Sequence, residues 1–229
     1  LFHENSRELK PVPEVFPRLK PQPRAFARGF ALCLVIWGFA APVAAQEALP
    51  DPQAGGRLAL QRCASCHTAD GSRGMRSIPI LQGQSADYTI KQLNDFKAGL
   101  RLNSVMQGLV GGLTESDIRN MAAFYAQKEF APAPPPDADQ AALGEAIFHE
   151  GIETDDRSVT ACVACHAPDP DARPEASPDL RGQHAAYTAQ QLRAFRDGTR
   201  TNSEDMSGIM AGVSDDEIKA IAAYLAGLR

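Results

Sequence analysis

Five residues, Cys63-Ala64-Ser65-Cys66-His67, recur in kind as Cys162-Val163-Ala164-Cys165-His166. Two thiols separated by two residues lie one helical turn apart, and a histidine directly after the second can offer its imidazole beside them. This spacing attaches a c-type haem: the thiols add to two vinyl groups and the imidazole ligates the iron from one face. Four thiolates could instead hold zinc. Paired C-x-x-C zinc sites, however, usually stand about 15 to 20 residues apart and have no need of a histidine after each pair. A thioredoxin-like redox pair needs a βαβ setting and no second copy.

The other side of each iron decides the chemistry. An open position binds small molecules or supports catalysis, whereas methionine raises the potential and favours electron transfer. Met106 follows His67 by 39 residues and Met206 follows His166 by 40, with Asn103-Ser104 and Asn202-Ser203 read as flanking them in register. Met210 competes with Met206, but its counterpart is Val110, so a ligand shared by both copies is Met106 and Met206. Met121 and Met210 read as core filling and Met75 as a loop residue. His149 and His184 have no match in the other copy and read as surface residues, with bis-histidine ligation the lesser alternative.

These residues are positioned by a duplicated frame. Leu81 through Arg101 aligns at an offset of 99 with Leu180 through Arg200, with 11 of 21 positions identical, and the same offset relates Cys63 to Cys162 and Pro79 to Pro178. Tyr88, Gln92 and Phe96, matched by Tyr187, Gln191 and Phe195, share one helix face and read as core or haem-edge contacts. Pro52 to Cys63 reads as a short helix weakened by two glycines, and Asp139 to His149 as a clearer one. Ser214-Asp215-Asp216-Glu217 and Thr114-Glu115-Ser116-Asp117 start the last helix of each copy with capping boxes. No alternating pattern of useful length appears, so the expected class is all-α, with two tandem cytochrome c-like domains each wrapped around one covalently bound haem. Ala131 to Asp137 is rich in proline and cannot continue a helix. The expected domains are 46–131 and 141–229, joined by a Pro-rich linker at 132–140.

Residues 1–45 read as an N-terminal extension and signal peptide that is removed. Arg24 and Arg28 precede the apolar run Phe30–Ala41, and Val43-Ala44-Ala45 offers small residues for cleavage. Cys33, the fifth cysteine, lies in that run. The chain has 23 basic and 28 acidic side chains. Without residues 1–45 it keeps 17 and 25, a formal −8, which disfavours nucleic acid as a partner. Residues 46–131 carry nine basic and eight acidic groups (+1), and 132–229 carry eight and 17 (−9). Only 7% of the residues are aromatic, which suits small helical units around a large apolar cofactor that completes the core.

Two haem motifs about 100 residues apart are followed in each copy by Pro-x-Leu-x-Gly-Gln, a Tyr-x-x-x-Gln-Leu-x-x-Phe helix, a methionine loop and a capped final helix. Together they resemble the dihaem cytochrome c4 family over nearly all of 55–227. The resemblance implies two class I cytochrome c domains about a pseudo-twofold axis, in a periplasmic electron carrier that is soluble or peripherally attached to a membrane. It implies covalent attachment of two haem c groups at Cys63, Cys66, Cys162 and Cys165, and iron ligation by His67, Met106, His166 and Met206. It also implies that the carbonyls of Pro79 and Pro178 accept hydrogen bonds from the ligand imidazoles. The expected partners are redox proteins: a reductase such as a quinol-oxidising complex, a terminal oxidase or another periplasmic oxidoreductase. The alternatives are a dihaem subunit of a larger oxidoreductase, such as a flavocytochrome sulfide dehydrogenase, and a dihaem peroxidase-like or thiosulfate-oxidising enzyme.

Overall fold

Asp51 caps the first helix by accepting from the amides of Gln53 and Ala54, and Pro52 at its first position is preset for helical φ. This is a computed structural model, and it describes residues 48–174 and 176–229. The signal segment and Cys33 lie outside those residues. In the first half, α1 (Pro52–Arg62) leads through Cys63 into a single turn, α2 (Ala64–His67), and then a long irregular loop. After it come α3 (Ala86–Ala98), α4 (Ser104–Val110) and α5 (Glu115–Ala126). The Thr114/Asp117 box opens α5, with both of its reciprocal hydrogen bonds formed.

Helices α1 and α5 cross at closest approach at Gly55, where a Cβ would stand 1.9 Å from the carbonyl oxygen of Asn120. Backbone against backbone at that spacing admits only glycine. The second half repeats the device. There α6 (Ala138–Glu150) crosses α9 (Asp215–Gly227) at Gly144, whose Cβ would lie 2.1 Å from the oxygen of Ala220. Between them run α7 (Ala185–Arg196) and α8 (Glu204–Met210), and the Ser214/Glu217 box opens α9. Residues 128–137 form neither helix nor strand.

The class is all-α, with one small departure. Ile152–Glu153 (β1) and Ser158–Val159 (β2) pair as a two-residue antiparallel ladder ahead of the second motif. Two residues per strand are too few to show a period in the sequence. Tertiary contacts hold the ladder: Ile152 and Val159 join the core, and the Arg157 guanidinium grips the Glu217 carboxylate at 2.9 and 2.5 Å.

The halves meet through reciprocal contacts, as residues related by a local twofold must. Gln84 bonds the backbone of Asp179 in both directions (2.9 and 2.8 Å), and Gln183 does the same to Ile80 (3.0 and 3.0 Å). Arg101 donates to Gln92 (2.8 Å), Tyr187 (2.9 Å) and Gln191 (2.7 Å). Arg200 answers with Gln191 (2.9 Å), Tyr88 (3.2 Å) and Gln92 (3.0 Å).

Two expectations are corrected here. Of the Tyr/Gln/Phe face, only Phe96 and Phe195 belong to the cores, whereas the tyrosines and glutamines face the opposite half. His184 is buried at 6% exposure, because its Nε2 donates across the interface to the carbonyl of Arg73 at 2.6 Å. Its counterpart in the first half is Ser85, which simply caps α3. His149 is exposed, as expected.

Candidate functional site

Each C-x-x-C-H run closes one turn. The His67 amide bonds the Cys63 carbonyl (2.9 Å), and the His166 amide bonds that of Cys162 (2.9 Å), although the second motif is wound as a 3₁₀ turn over Cys162–Ala164. The turn sends Cys63 and Cys162 toward the cores, where each packs against its own half's apolar cluster. Cys63 Sγ lies 3.9 Å from Met121 Sδ. Burial pushes the Cys63 thiol up and the Cys162 thiol up to about 11, so both stay neutral at ordinary pH. Cys66 is half-buried and Cys165 exposed.

The imidazoles are fixed by what lies behind them. His67 Nδ1 is 2.9 Å from the carbonyl oxygen of Pro79, and His166 Nδ1 is 3.5 Å from that of Pro178. A carbonyl only accepts, so Nδ1 carries the hydrogen and Nε2 keeps its lone pair. Burial lowers both histidines' pKa values, and the nearby Arg173 adds to the effect at His166. Both rings are therefore neutral donors of a lone pair near pH 7.

The methionines enter from helix N-termini. Met106 and Met206 are each the third residue of a short helix, and each donates its amide to the cap, Asn103 Oδ1 (3.0 Å) and Ser203 Oγ (3.4 Å) respectively. Met106 packs in the cluster that takes in Cys63, and Met206 in the one that takes in Cys162. Each half thus gathers a motif cysteine and a loop methionine at one apolar core. Met121 and Met210 are fully buried core residues, and Met75 is an exposed loop residue. The caps also correct the register around the methionines: Asn103 corresponds to Ser203, so Asn103-Ser104 and Asn202-Ser203 are not equivalent pairs.

Whether these residues suit a haem is tested by what they leave unanswered. Arg101 and Arg200 are buried at 9% and 7% exposure, stacked on Phe96 and Phe195 at 4.6 and 4.3 Å, and bonded to neutral amides and phenols. Among the described residues, the one buried side-chain nitrogen with no hydrogen-bond partner is Arg173 Nη1, while Nη2 of the same guanidinium reaches the Asp179 carboxylate at 3.5 Å. A buried cation calls for an anion. Neutral imidazoles, apolar thiols, thioethers and under-compensated guanidiniums together fit an iron porphyrin bearing carboxylates. Sequence reasoning missed Arg101, Arg173 and Arg200. The duplicated Arg-x-Asn or Arg-x-x-Ser step before each methionine was the available signal for two of them.

The chain matches the family model for cytochrome c twice, over residues 52–127 and 141–229. Cytochrome c4 of Pseudomonas aeruginosa is 38% identical over 179 residues, covering 76% of this chain and 88% of that protein. The thiosulfate dehydrogenase electron acceptor of Stutzerimonas stutzeri strain A1501 is 38% identical, covering 77% and 83%. The crystal structure of reduced recombinant cytochrome c4 from Pseudomonas stutzeri superposes with a TM-score of 0.70 at 36% identity, covering 79% of this chain and all of that one. The duplicated frame, its matched sites and these likenesses agree, and the chain belongs to the dihaem cytochrome c4 family, with two haem c groups per chain.

Proposed function

We propose that this electron-carrying cytochrome works in the periplasm with both irons held between histidine and methionine: His67 and Met106 in the domain spanning 46–131, His166 and Met206 in the one spanning 141–229. Cys63, Cys66, Cys162 and Cys165 form the thioethers, and 132–140 is the connector. One-electron exchange between ferric and ferrous iron is what a haem c supplies at each site. The chain's own residues set the conditions for it. Pro79 and Pro178 orient the imidazoles and fix their tautomer. Arg101, Arg200 and Arg173 are placed to meet carboxylates, and the clusters around Phe96 and Phe195 exclude water. A thioether on each far side leaves no open position for a substrate, which argues for a carrier rather than an enzyme.

The observation that carries this reading is the neutral, lone-pair-bearing imidazole in each half, set beside a core that also holds a loop methionine. Export rests on the apolar run Phe30–Ala41 and the small residues after it. Among the described residues no helix is long and apolar enough to cross a membrane. The partners are redox proteins. A relative named as an electron acceptor of thiosulfate dehydrogenase, at 38% identity, favours a second reading in which this chain takes electrons from such an enzyme as its subunit.

Denaturing mass spectrometry of the exported protein checks the attachment. The expected mass is the chain from about Gln46 plus two haems, falling by one haem in the Cys63→Ala/Cys66→Ala variant and by one in Cys162→Ala/Cys165→Ala. Haem that extracts into acid butanone contradicts the reading.

A further inference from the structure

Across the otherwise reciprocal interface, the His184–Arg73 bond is not the only contact without a mirror image. The matched caps and the matched arginines place an extra residue of the second half between Arg200 and Ser203, where Thr201 and Asn202 stand opposite Leu102 alone. This is the residue that lengthens the histidine-to-methionine spacing from 39 to 40. Thr201 is exposed, while Asn202 turns into the first half. Its Nδ2 donates to Asp95 Oδ2 (2.6 Å) and to Gln92 Oε1 (3.0 Å), and its backbone oxygen accepts from Lys91 Nζ (3.1 Å). Its Oδ1 accepts from Arg200 Nε (2.9 Å). Lys91 and Asp95 are themselves paired at 2.5 Å, one turn apart on α3.

The positions equivalent to Lys91 and Asp95 on α7 are Gln190 and Ala194, which cannot build the same pair. Asn103 is exposed and serves its own helix as a cap. An inserted residue and two substitutions thus act at one point, four residues before Met206. Asp95 is buried at 8% exposure, so losing Asn202 would leave its carboxylate to Lys91 alone.

We propose that Asn202 is a positioning residue, and that Lys91 and Asp95 of the first domain clamp it so as to set the methionine loop of the second. Met206 is then held in place partly by the other domain, whereas Met106 is held by its own. The proposal rests on the reading of Met206 as an iron ligand. Both loops start at an arginine bonded across the interface, and the added clamp makes the second site more sensitive than the first to the fit between the domains.

The test uses the holoprotein with Asn202→Ala, Asp95→Ala, the conservative Asp95→Asn, and Gln190→Ala as the mirror control. Three things are measured: hydrogen exchange over residues 201–209, the methionine-to-iron absorption feature, and the two reduction potentials. Asn202→Ala and Asp95→Ala should raise exchange in that segment about 10-fold, the cost of a lost buried hydrogen bond. They should weaken the second site's feature and lower its potential, with the first site and the haem content unchanged. Asp95→Asn keeps an acceptor and should stay near the parent, as should Gln190→Ala. Parent-like exchange and potentials in Asn202→Ala and Asp95→Ala, or equal shifts at both sites, overturn the clamp. A Met206→Ala protein that keeps the second site's feature overturns the ligand reading itself, and the clamp's purpose with it.

Discussion

The two methionine loops hang on the same frame and present opposite rims. In the first domain the rim is apolar and bare: Leu100, Leu102 and Val105 are 62%, 73% and 65% exposed. In the second domain Thr199, Thr201, Glu204 and Asp205 stand exposed in the same places. What is duplicated is what the cofactor and the packing demand: the glycine crossing, the imidazole-to-proline bond, the arginine on phenylalanine, and methionine three residues after a cap. What differs is what a partner would touch. The pair therefore reads as one redox frame with two surface chemistries, an apolar one and an acidic one within the half that carries −9.

The largest effect should come from the shared frame. Gly55→Ala and Gly144→Ala each put a Cβ about 2 Å from a backbone oxygen, so the crossing helices must part. Each variant should lose about 3 kcal/mol or more of stability, read from denaturant unfolding of the holoprotein. Comparable losses support one frame used twice, and a tolerated alanine at either site breaks the equivalence.

The rims predict a smaller and one-sided effect. Asp155, Asp156, Glu204 and Asp205 are exposed around the second motif and its methionine loop. Changing all four to Asn or Gln should slow electron exchange with a basic redox partner about 10-fold at low ionic strength and remove most of the salt dependence. Both haem spectra should stay intact. A rate unmoved by the changes and flat with salt leaves those acids as a solubilising face.

Smallest is a pH effect confined to the second domain. Arg157 holds Glu217 down to about 2, with help from the Ser214 cap. A depressed carboxylate contributes stability above its unfolded value near 4.5 and loses it as pH falls from there toward 2. The pair is partly open to water, with side chains 32% and 16% exposed, so Arg157→Met should cost only about 0.5–1 kcal/mol at pH 7. The difference from the parent should shrink on acidification, and a cost that persists unchanged at pH 2 contradicts the linkage.

Much of this was legible in the sequence because the chemistry is local. C-x-x-C-H and the capping boxes are complete within five residues, and the repeat marks which methionines correspond. The contacts between the halves were not legible. Arg101 and Tyr187, or His184 and Arg73, are linked over 86 and 111 residues, and a helical period names a face without naming what meets it. So tyrosines and glutamines that look like core became interface, and His184 moved from surface to interior. The glycines of α1 were misjudged for a related reason: propensity counts Gly55 as a weak point, whereas the crossing requires it. The extra residue at Asn202 was hidden by pairing Asn103-Ser104 with Asn202-Ser203, since only the caps show that Asn103 answers to Ser203.

One histidine-methionine site in each half would show itself in the methionine-to-iron absorption feature of the oxidised protein. Met106→Ala and Met206→Ala should each remove about half of it and lower one potential, while Met210→Ala, a core residue at 2% exposure, leaves it whole. A Met210→Ala protein that loses the second share, or a Met106→Ala protein that keeps the first, contradicts the account.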